Sequence, residues 1–85
     1  MQIHDIKKII YDGDTLEVLI GIELDANNTN TWELEDPHAL VVYKSQGDLH
    51  LQHIELIDRG MKVHGYEFTE DEEKEISNFL NKKMI

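Results

Sequence analysis

Five histidines are the side chains of this chain best suited to hold a metal ion: His4, His38, His50, His53 and His64. Imidazole is the commonest protein ligand for zinc, copper and nickel. His50 and His53 are three residues apart, so on a regular strand they face opposite sides, and only a β-bulge between them lets both bind one ion. His64 joins them only if it lies on the neighbouring strand. We predict no metal or cofactor, and keep a site at His50, His53 and His64 as an alternative hypothesis.

The polar segment from Asp25 to Asp36 has some features of a calcium-binding loop. Oxygen-bearing side chains occupy its first, third, fifth, ninth and twelfth places, as in an EF-hand: Asp25, Asn27, Thr29, Glu33 and Asp36. However, its sixth place is Asn30 instead of glycine, and its last ligand is not the longer bidentate glutamate. A turn rich in Asp and Asn explains the same residues, so we do not predict calcium binding.

The chain offers little for catalysis. It contains no cysteine, and its glycines are isolated, so that no phosphate-binding loop is present. Ser45, Asp48 and His50 are close in sequence, but residues around one tight hairpin rarely reach the geometry of a catalytic triad. We therefore expect a protein that is not an enzyme.

Negative charge dominates the composition, with 18 acidic and eight basic residues giving a formal net charge of −10. Six of the acids fall in the nine residues from Glu67 to Glu75. Such a field repels nucleic acid and anionic membrane and attracts basic protein surfaces. We expect the following residues to contact a partner: Glu67, Glu70, Asp71, Glu72 and Glu73, together with Trp32, a lone tryptophan beside a polar loop that suits either a core anchor or a binding hot spot.

These features favour a non-catalytic acidic protein that works by binding another protein, through self-association as a dimer, a different partner, or both. An alternative is an acidic inhibitor of the kind carried by phages and mobile elements, whose carboxylates imitate the phosphates of a nucleic acid and block a nucleic-acid enzyme. The chain resembles such inhibitors in size and charge only. It has no cysteine and no apolar targeting run, so we expect a cytoplasmic location.

The elements that position these residues begin with a clear strand. Apolar residues occupy alternate positions from Leu16 to Leu24, a period of two that predicts one buried face. The preceding segment, residues 3–10, favours a second strand, although Ile3, Ile6 and Ile10 also fit a short helix. Asp12-Gly13 lies between the two runs and predicts a two-residue type I′ turn.

That turn pairs Lys8 with Glu17 and Ile9 with Leu16. A three-residue loop instead pairs Ile10 with Leu16. We favour the first register because it matches opposite charges across the strands.

Further strands are predicted around Trp32 and Leu34, at residues 39–44, 49–58 and 61–68. The apolar phase slips within the 49–58 strand, which a β-bulge near Gln52-His53 would correct.

The C-terminus is predicted to be helical. Thr69 is a good N-cap, and Glu72 three residues later completes a capping box. One face then carries Ile76, Phe79, Leu80 and Met84. We therefore predict an α+β fold for residues 1–85 as one domain: a mostly antiparallel sheet of four to six strands with one C-terminal helix packed on one face.

Overall fold

A computed structural model describes residues 1–24 and 34–84 of the chain, with the side chain of residue 84 left aside. The fold is α+β, as predicted. A five-stranded antiparallel sheet has the order β1-β2-β3-β4-β5, and one helix follows it. The elements are β1 (Gln2–Asp12), β2 (Thr15–Glu23), β3 (Pro37–Gln46), β4 (Asp48–Asp58), β5 (Met61–Lys62) and α1 (Glu70–Met84). In the described part of the chain, no helix has the length and apolar character needed to cross a membrane.

The core lies between one face of the sheet and α1. Because strand side chains alternate between faces, every second residue from Leu16 to Ile22 in β2 and from Ala39 to Tyr43 in β3 points towards the helix and is buried. Ile76 and Leu80, four residues apart on α1, are buried against them. The core comprises Leu16, Val18, Ile20, Ile22, Ala39, Val41, Tyr43, Leu56, Phe68, Ile76 and Leu80.

Residues 2–12 form a strand and not a helix. Its register against β2 shifts twice, between Ile3 and Ile6 and between Ile6 and Lys8. These irregularities let residues spaced by three on β1 match residues spaced by two on β2, so that Ile3, Ile6 and Ile9 all lie on the helix side of the sheet. Ile10, the third residue of the helical alternative, pairs with Glu17 and lies on the opposite face, so the three isoleucines that fit a helix do not share one face of the strand.

The turn between β1 and β2 lies one residue beyond its predicted place. Asp12 pairs with Thr15, which leaves Gly13 and Asp14 as the two turn residues. Gly13 has a φ of 63° whereas Asp14 has no positive φ, the pattern of a type II′ turn instead of type I′. A glycine at the first central position is what a type II′ turn requires.

Both predicted registers of this hairpin are consequently wrong. Tyr11 pairs with Leu16, and Ile10, in place of Lys8, pairs with Glu17. In the observed register, apolar residues of β1 lie on the same face as the apolar residues of β2. The free energy gained by burying them outweighs that of one exposed ion pair between Lys8 and Glu17.

The predicted bulge in β4 is confirmed. Val42 pairs with His53 and Tyr43 with Leu51, so that Gln52 is the extra residue. Beyond the bulge the alternation of faces is reset. As a result, the apolar residues on both sides of it share the helix side of the sheet: Leu49, Leu51, Ile54 and Leu56.

The last predicted strand is much shorter than expected, because β5 ends at Lys62 instead of residue 68. Val63 still donates a backbone hydrogen bond of 2.8 Å to the carbonyl oxygen of Leu56. Gly65, with a φ of 85°, then turns the chain away from the sheet. The strand predicted around Trp32 lies largely outside the described residues, and Leu34 at its end is not in a strand.

A capping box starts α1, as predicted. The Glu72 amide donates to Thr69 Oγ1 at 3.2 Å, and the Thr69 amide donates to Glu72 Oε1 at 2.9 Å. The Tyr66 hydroxyl also donates to the Glu72 carboxylate, at 3.2 Å. Glu72 is only 6% exposed. Its charge is thus used to fix the first turn of the helix.

A buried carboxylate at the end of β4 fixes the entry into β3. Asp58 Oδ1 accepts hydrogen bonds from the amides of Glu35 at 3.1 Å and Asp36 at 2.7 Å. Its other oxygen lies 3.4 Å from Arg59 Nε. Asp58 therefore orders the two residues that precede Pro37, the first residue of β3.

The burial of Tyr43 predicts a loss of stability at alkaline pH. Desolvation raises the pKa of its hydroxyl above the ordinary value, so the folded state holds this proton more tightly than the unfolded state. The stabilising contribution is complete below the ordinary pKa of about 10 and is lost as the pH rises through the raised folded-state value. Tyr43→Phe should therefore lose less unfolding free energy than the wild type between about pH 9 and pH 11, as measured by urea denaturation. Tyr11→Phe, at an exposed phenol, is the matched control, and an alkaline loss equal in Tyr43→Phe and the wild type contradicts the prediction.

The capping box predicts a measurable cost when it is broken. Thr69→Ala removes the acceptor of the Glu72 amide and should lower the free energy of unfolding by about 1 kcal/mol. Thr69→Ser keeps the hydroxyl acceptor and should lower the free energy of unfolding by only about 0.3 kcal/mol. Urea denaturation of the two variants measures the difference. Equal losses in both would show that Thr69 contributes its methyl group and not its cap.

Candidate functional site

A groove runs between α1 and β4 on the helix side of the sheet, with a volume of about 440 Å³. We call it the helix–β4 groove, and it is lined by Leu51, Glu70, Glu73, Lys74, Ser77 and Asn78. It exists because a single helix is only about 10 Å across, the width of two or three strands. The helix covers the central strands and leaves the first half of β4 uncovered.

The floor of the groove is apolar. Leu51 is 36% exposed and the neighbouring Leu49 is 47% exposed, although both lie on the face that forms the core elsewhere. On the opposite edge of the sheet, Ile9 and Tyr11 are exposed on the same face. The apolar face of the sheet thus extends beyond the helix at both edges, and exposed apolar side chains of this kind suit contact with another molecule.

One flank of the helix forms the wall of the groove. Residues 70, 73, 74 and 77 recur at the three- and four-residue spacing that places side chains on one helical face. This flank presents the carboxylates of Glu70 and Glu73 together with the ammonium of Lys74. The arrangement can hold an apolar side chain against Leu51 and a cation against the two carboxylates.

Some carboxylates of the sheet and its loops have ion-pair partners within the molecule. Glu55 Oε1 lies 3.3 Å from Lys62 Nζ and 3.4 Å from His53 Nε2. Glu35 Oε2 lies 3.6 Å from Arg59 Nη1. These pairs reduce the field of the acids on and beside the sheet.

Several acids around the start of the helix have no such partners among the described residues, and neither do four acids of the sheet: Asp5, Asp12, Glu17 and Asp48. Within residues 1–24 and 34–84, no ion pair of 4.0 Å or less uses Glu67, Glu70, Asp71 or Glu73. The positive end of the helix dipole stabilises the charges in the first turn of the helix. Glu70, Asp71 and Glu73 therefore form a cluster of acids without ion pairs among the described residues, and Glu70 and Glu73 line the helix–β4 groove.

The predicted partner-binding residues do not all occupy equivalent positions. Glu70 and Glu73 line the groove, whereas Asp71 is exposed on another flank of the helix. Glu67 is exposed before the helix starts. Glu72 is buried in the capping box and is not available to a partner. Trp32 lies outside the described residues.

The bulge in β4 brings two of the metal candidates to one face. His50 pairs with Lys44 and His53 with Val42, so both histidines point away from α1. His64 is not a cross-strand neighbour, because β5 ends before it, but it lines one surface pocket together with His53 and Glu55. Among the described residues, no three His, Asp or Glu side chains form a group that could hold a metal ion.

The sequence-local Ser45, Asp48 and His50 do not assemble into a triad. Ser45 pairs with Leu49 and His50 with Lys44, which are successive positions of the β3–β4 pairing. The side chains of Ser45 and His50 therefore lie on opposite faces of the sheet.

Sequence reasoning missed the groove itself. It identified Glu70 and Glu73 by charge, but not Leu51 or the helix flank that continues to Ser77 and Asn78. The available signal was the predicted bulge, which already placed Leu51 on the apolar face. Whether Leu51 is covered depends on the position of the helix above the sheet, and no sequence pattern indicates that position.

Comparison with protein families, with curated proteins and with solved structures finds no match to this chain.

Proposed function

We propose that this chain is a non-catalytic binding protein that holds a basic and partly apolar segment of a partner protein in the helix–β4 groove. The supporting observation is the exposed Leu51 beside Glu70 and Glu73, two carboxylates without an ion-pair partner among the described residues. A protein with a formal charge of −10 and no cysteine is suited to such a role in the reducing cytoplasm.

Charge and apolar contact have separate roles in this proposal. An exposed ion pair contributes only about 0.2–1 kcal/mol, so two carboxylates alone give weak and unselective binding. Burying an apolar side chain against Leu51 adds about 25 cal/mol for each Å² removed from water. The partner segment therefore carries both lysine or arginine and large apolar residues, and its binding weakens as salt is added.

A second candidate function is imitation of a nucleic acid, and one observation favours it. Glu67 and Asp71 are exposed outside the groove and, like the groove acids, have no ion-pair partner among the described residues. The phosphate-binding cleft of a nucleic-acid enzyme would contact the exposed carboxylates inside and outside the groove alike, and contact with Leu51 would not be needed.

Two charge-reversal variants with the same change in net charge separate the candidates. Glu70→Lys/Glu73→Lys changes the groove, whereas Asp71→Lys/Glu75→Lys changes exposed acids of the same helix that do not line it. The probe is a fluorescent amphipathic peptide of leucine and lysine, followed by fluorescence anisotropy. We expect the groove variant to weaken binding at least tenfold and the control variant to weaken it about threefold or less, in line with a few tenths of a kcal/mol for a screened surface charge.

Leu51→Ser should also weaken binding of this peptide, because it removes the apolar floor without changing any charge. An oligolysine of equal charge should bind more weakly than the peptide. Its affinity for the Leu51→Ser variant should equal its affinity for the wild type. Equal losses in the two charge-reversal variants, with equal affinity for peptide and oligolysine, would overturn the groove proposal and support the nucleic-acid mimic.

A further inference from the structure

The face of the sheet opposite α1 carries its own apolar residues. Val42 is only 8% exposed, yet it is not part of the core cluster beneath the helix. Leu19, Leu40 and Ile57 are half-buried and likewise lie outside that cluster. We call the surface formed by Ile10, Leu19, Leu40, Val42 and Ile57 the open sheet face.

This surface differs in charge from the rest of the molecule. The pairing of the strands places Lys8, Lys44 and Lys62 on it, three of the eight basic residues of the chain, along with five acids: Asp12, Glu17, Glu23, Asp48 and Glu55. Acids outnumber lysines by five to three here, whereas the segment from Glu67 to Glu75 has six acids and one lysine. For two copies of a strongly acidic chain, approach through the open sheet face therefore meets less repulsion than approach through the start of the helix.

One row across the open sheet face is self-complementary. Lys8 pairs with Leu19, Leu19 with Leu40, and Leu40 with Glu55, so four strands present a cation, two leucines and an anion in order. A two-fold axis parallel to the strands and between β2 and β3 reverses this order in the second copy. It then sets Leu19 against the partner's Leu40, and Lys8 against the partner's Glu55.

A second row obeys the same symmetry. Asp12, Thr15, Lys44 and His50 are aligned across the same four strands. The axis that matches the leucines places Asp12 against the partner's His50, again an acceptor opposite a group able to donate.

The row between these two, Ile10, Glu17, Val42 and His53, is not complementary in charge, because the same axis sets Glu17 against the partner's Val42. The inference is based on the two outer rows.

We propose that two copies of this chain pack their open sheet faces together as a symmetric dimer, a β-sandwich with a helix on each outer side. Packed sheets lie about 10 Å apart, which the facing leucine side chains fill. This surface is separate from the helix–β4 groove, so each copy in the dimer keeps its groove accessible.

The size of the face is adequate for this contact. The molecule measures 40 × 22 × 20 Å, so its broad face covers at most roughly 900 Å², near the ~800 Å² per partner of a standard interface. Pairing through strand edges is disfavoured instead, because β1 and β4 both contain bulges that interrupt a regular hydrogen-bonding edge.

The test is the mass in solution, measured by light scattering after size exclusion over a concentration series. We expect a mass of twice 9.9 kDa for the wild type at high concentration. Leu40→Glu, with folding checked by circular dichroism, should give the monomer. Tyr11→Ser, on the helix side, is the matched control and should leave the dimer unchanged.

Charge exchange gives a sharper second test that does not alter the apolar residues. Lys8→Glu and Glu55→Lys should each weaken the dimer at least tenfold, and the double variant should recover most of that loss because it restores opposite charges across the axis. A monomer at every concentration, a dimer that survives Leu40→Glu, or a double variant no better than its parents would overturn the proposal. Glu70→Lys/Glu73→Lys should leave the dimer intact, so failure of this inference and failure of the groove proposal are distinguishable.

Discussion

The packing of one narrow helix on a wider sheet is the constraint on which the rest of this structure depends. Burial of Ile76 and Leu80 against β2 and β3 supplies the core, in a domain with no disulfide to assist it. A helix about 10 Å across cannot cover strands that lie about 4.8 Å apart over the full width of five. The exposed leucines of β4, the exposed residues of β1 and the second face without a helix all follow from this mismatch in width. The surfaces available for binding are therefore the parts of the sheet that the core could not use.

Electrostatics divides the molecule in a similar way. On the sheet, ion pairs such as Glu55 with Lys62 compensate part of the negative charge. At the start of α1 the acids are stabilised by the backbone dipoles of the helix. Glu72 shows that negative charge in this segment has more than one role, because its carboxylate closes the capping box and is buried. The rest of the acidic segment remains on the surface, so the same stretch of sequence contains one structural residue and several that a partner can reach.

Local patterns predicted the fold where one interaction decides the outcome. The alternation along β2, the phase slip at Gln52 and the capping box each have one physical solution, and each was predicted. The first turn was not, because Gly13 serves two turn types and only the pairing of whole strands selects between them. The spacing of Ile3, Ile6 and Ile10 fitted both a strand and a helix for a related reason, since a bulge is defined only by pairing with a neighbouring strand. The groove could not be predicted at all. It depends on where α1 lies above Leu51, a property of tertiary packing that no local pattern encodes.

The extra residue of β4 has a consequence for how this protein can change over time. Gln52 is the extra residue of the bulge and shifts the alternation of faces along β4. Deleting it would therefore move each residue in the first half of the strand to the other face of the sheet. Leu49 and Leu51 would leave the groove for the opposite layer, and His50 would turn towards the helix. One in-frame deletion thus exchanges the residues on the two faces of this half of β4 without changing the buried residues of β2 and β3. A lineage carrying this domain has a short genetic route to a different surface.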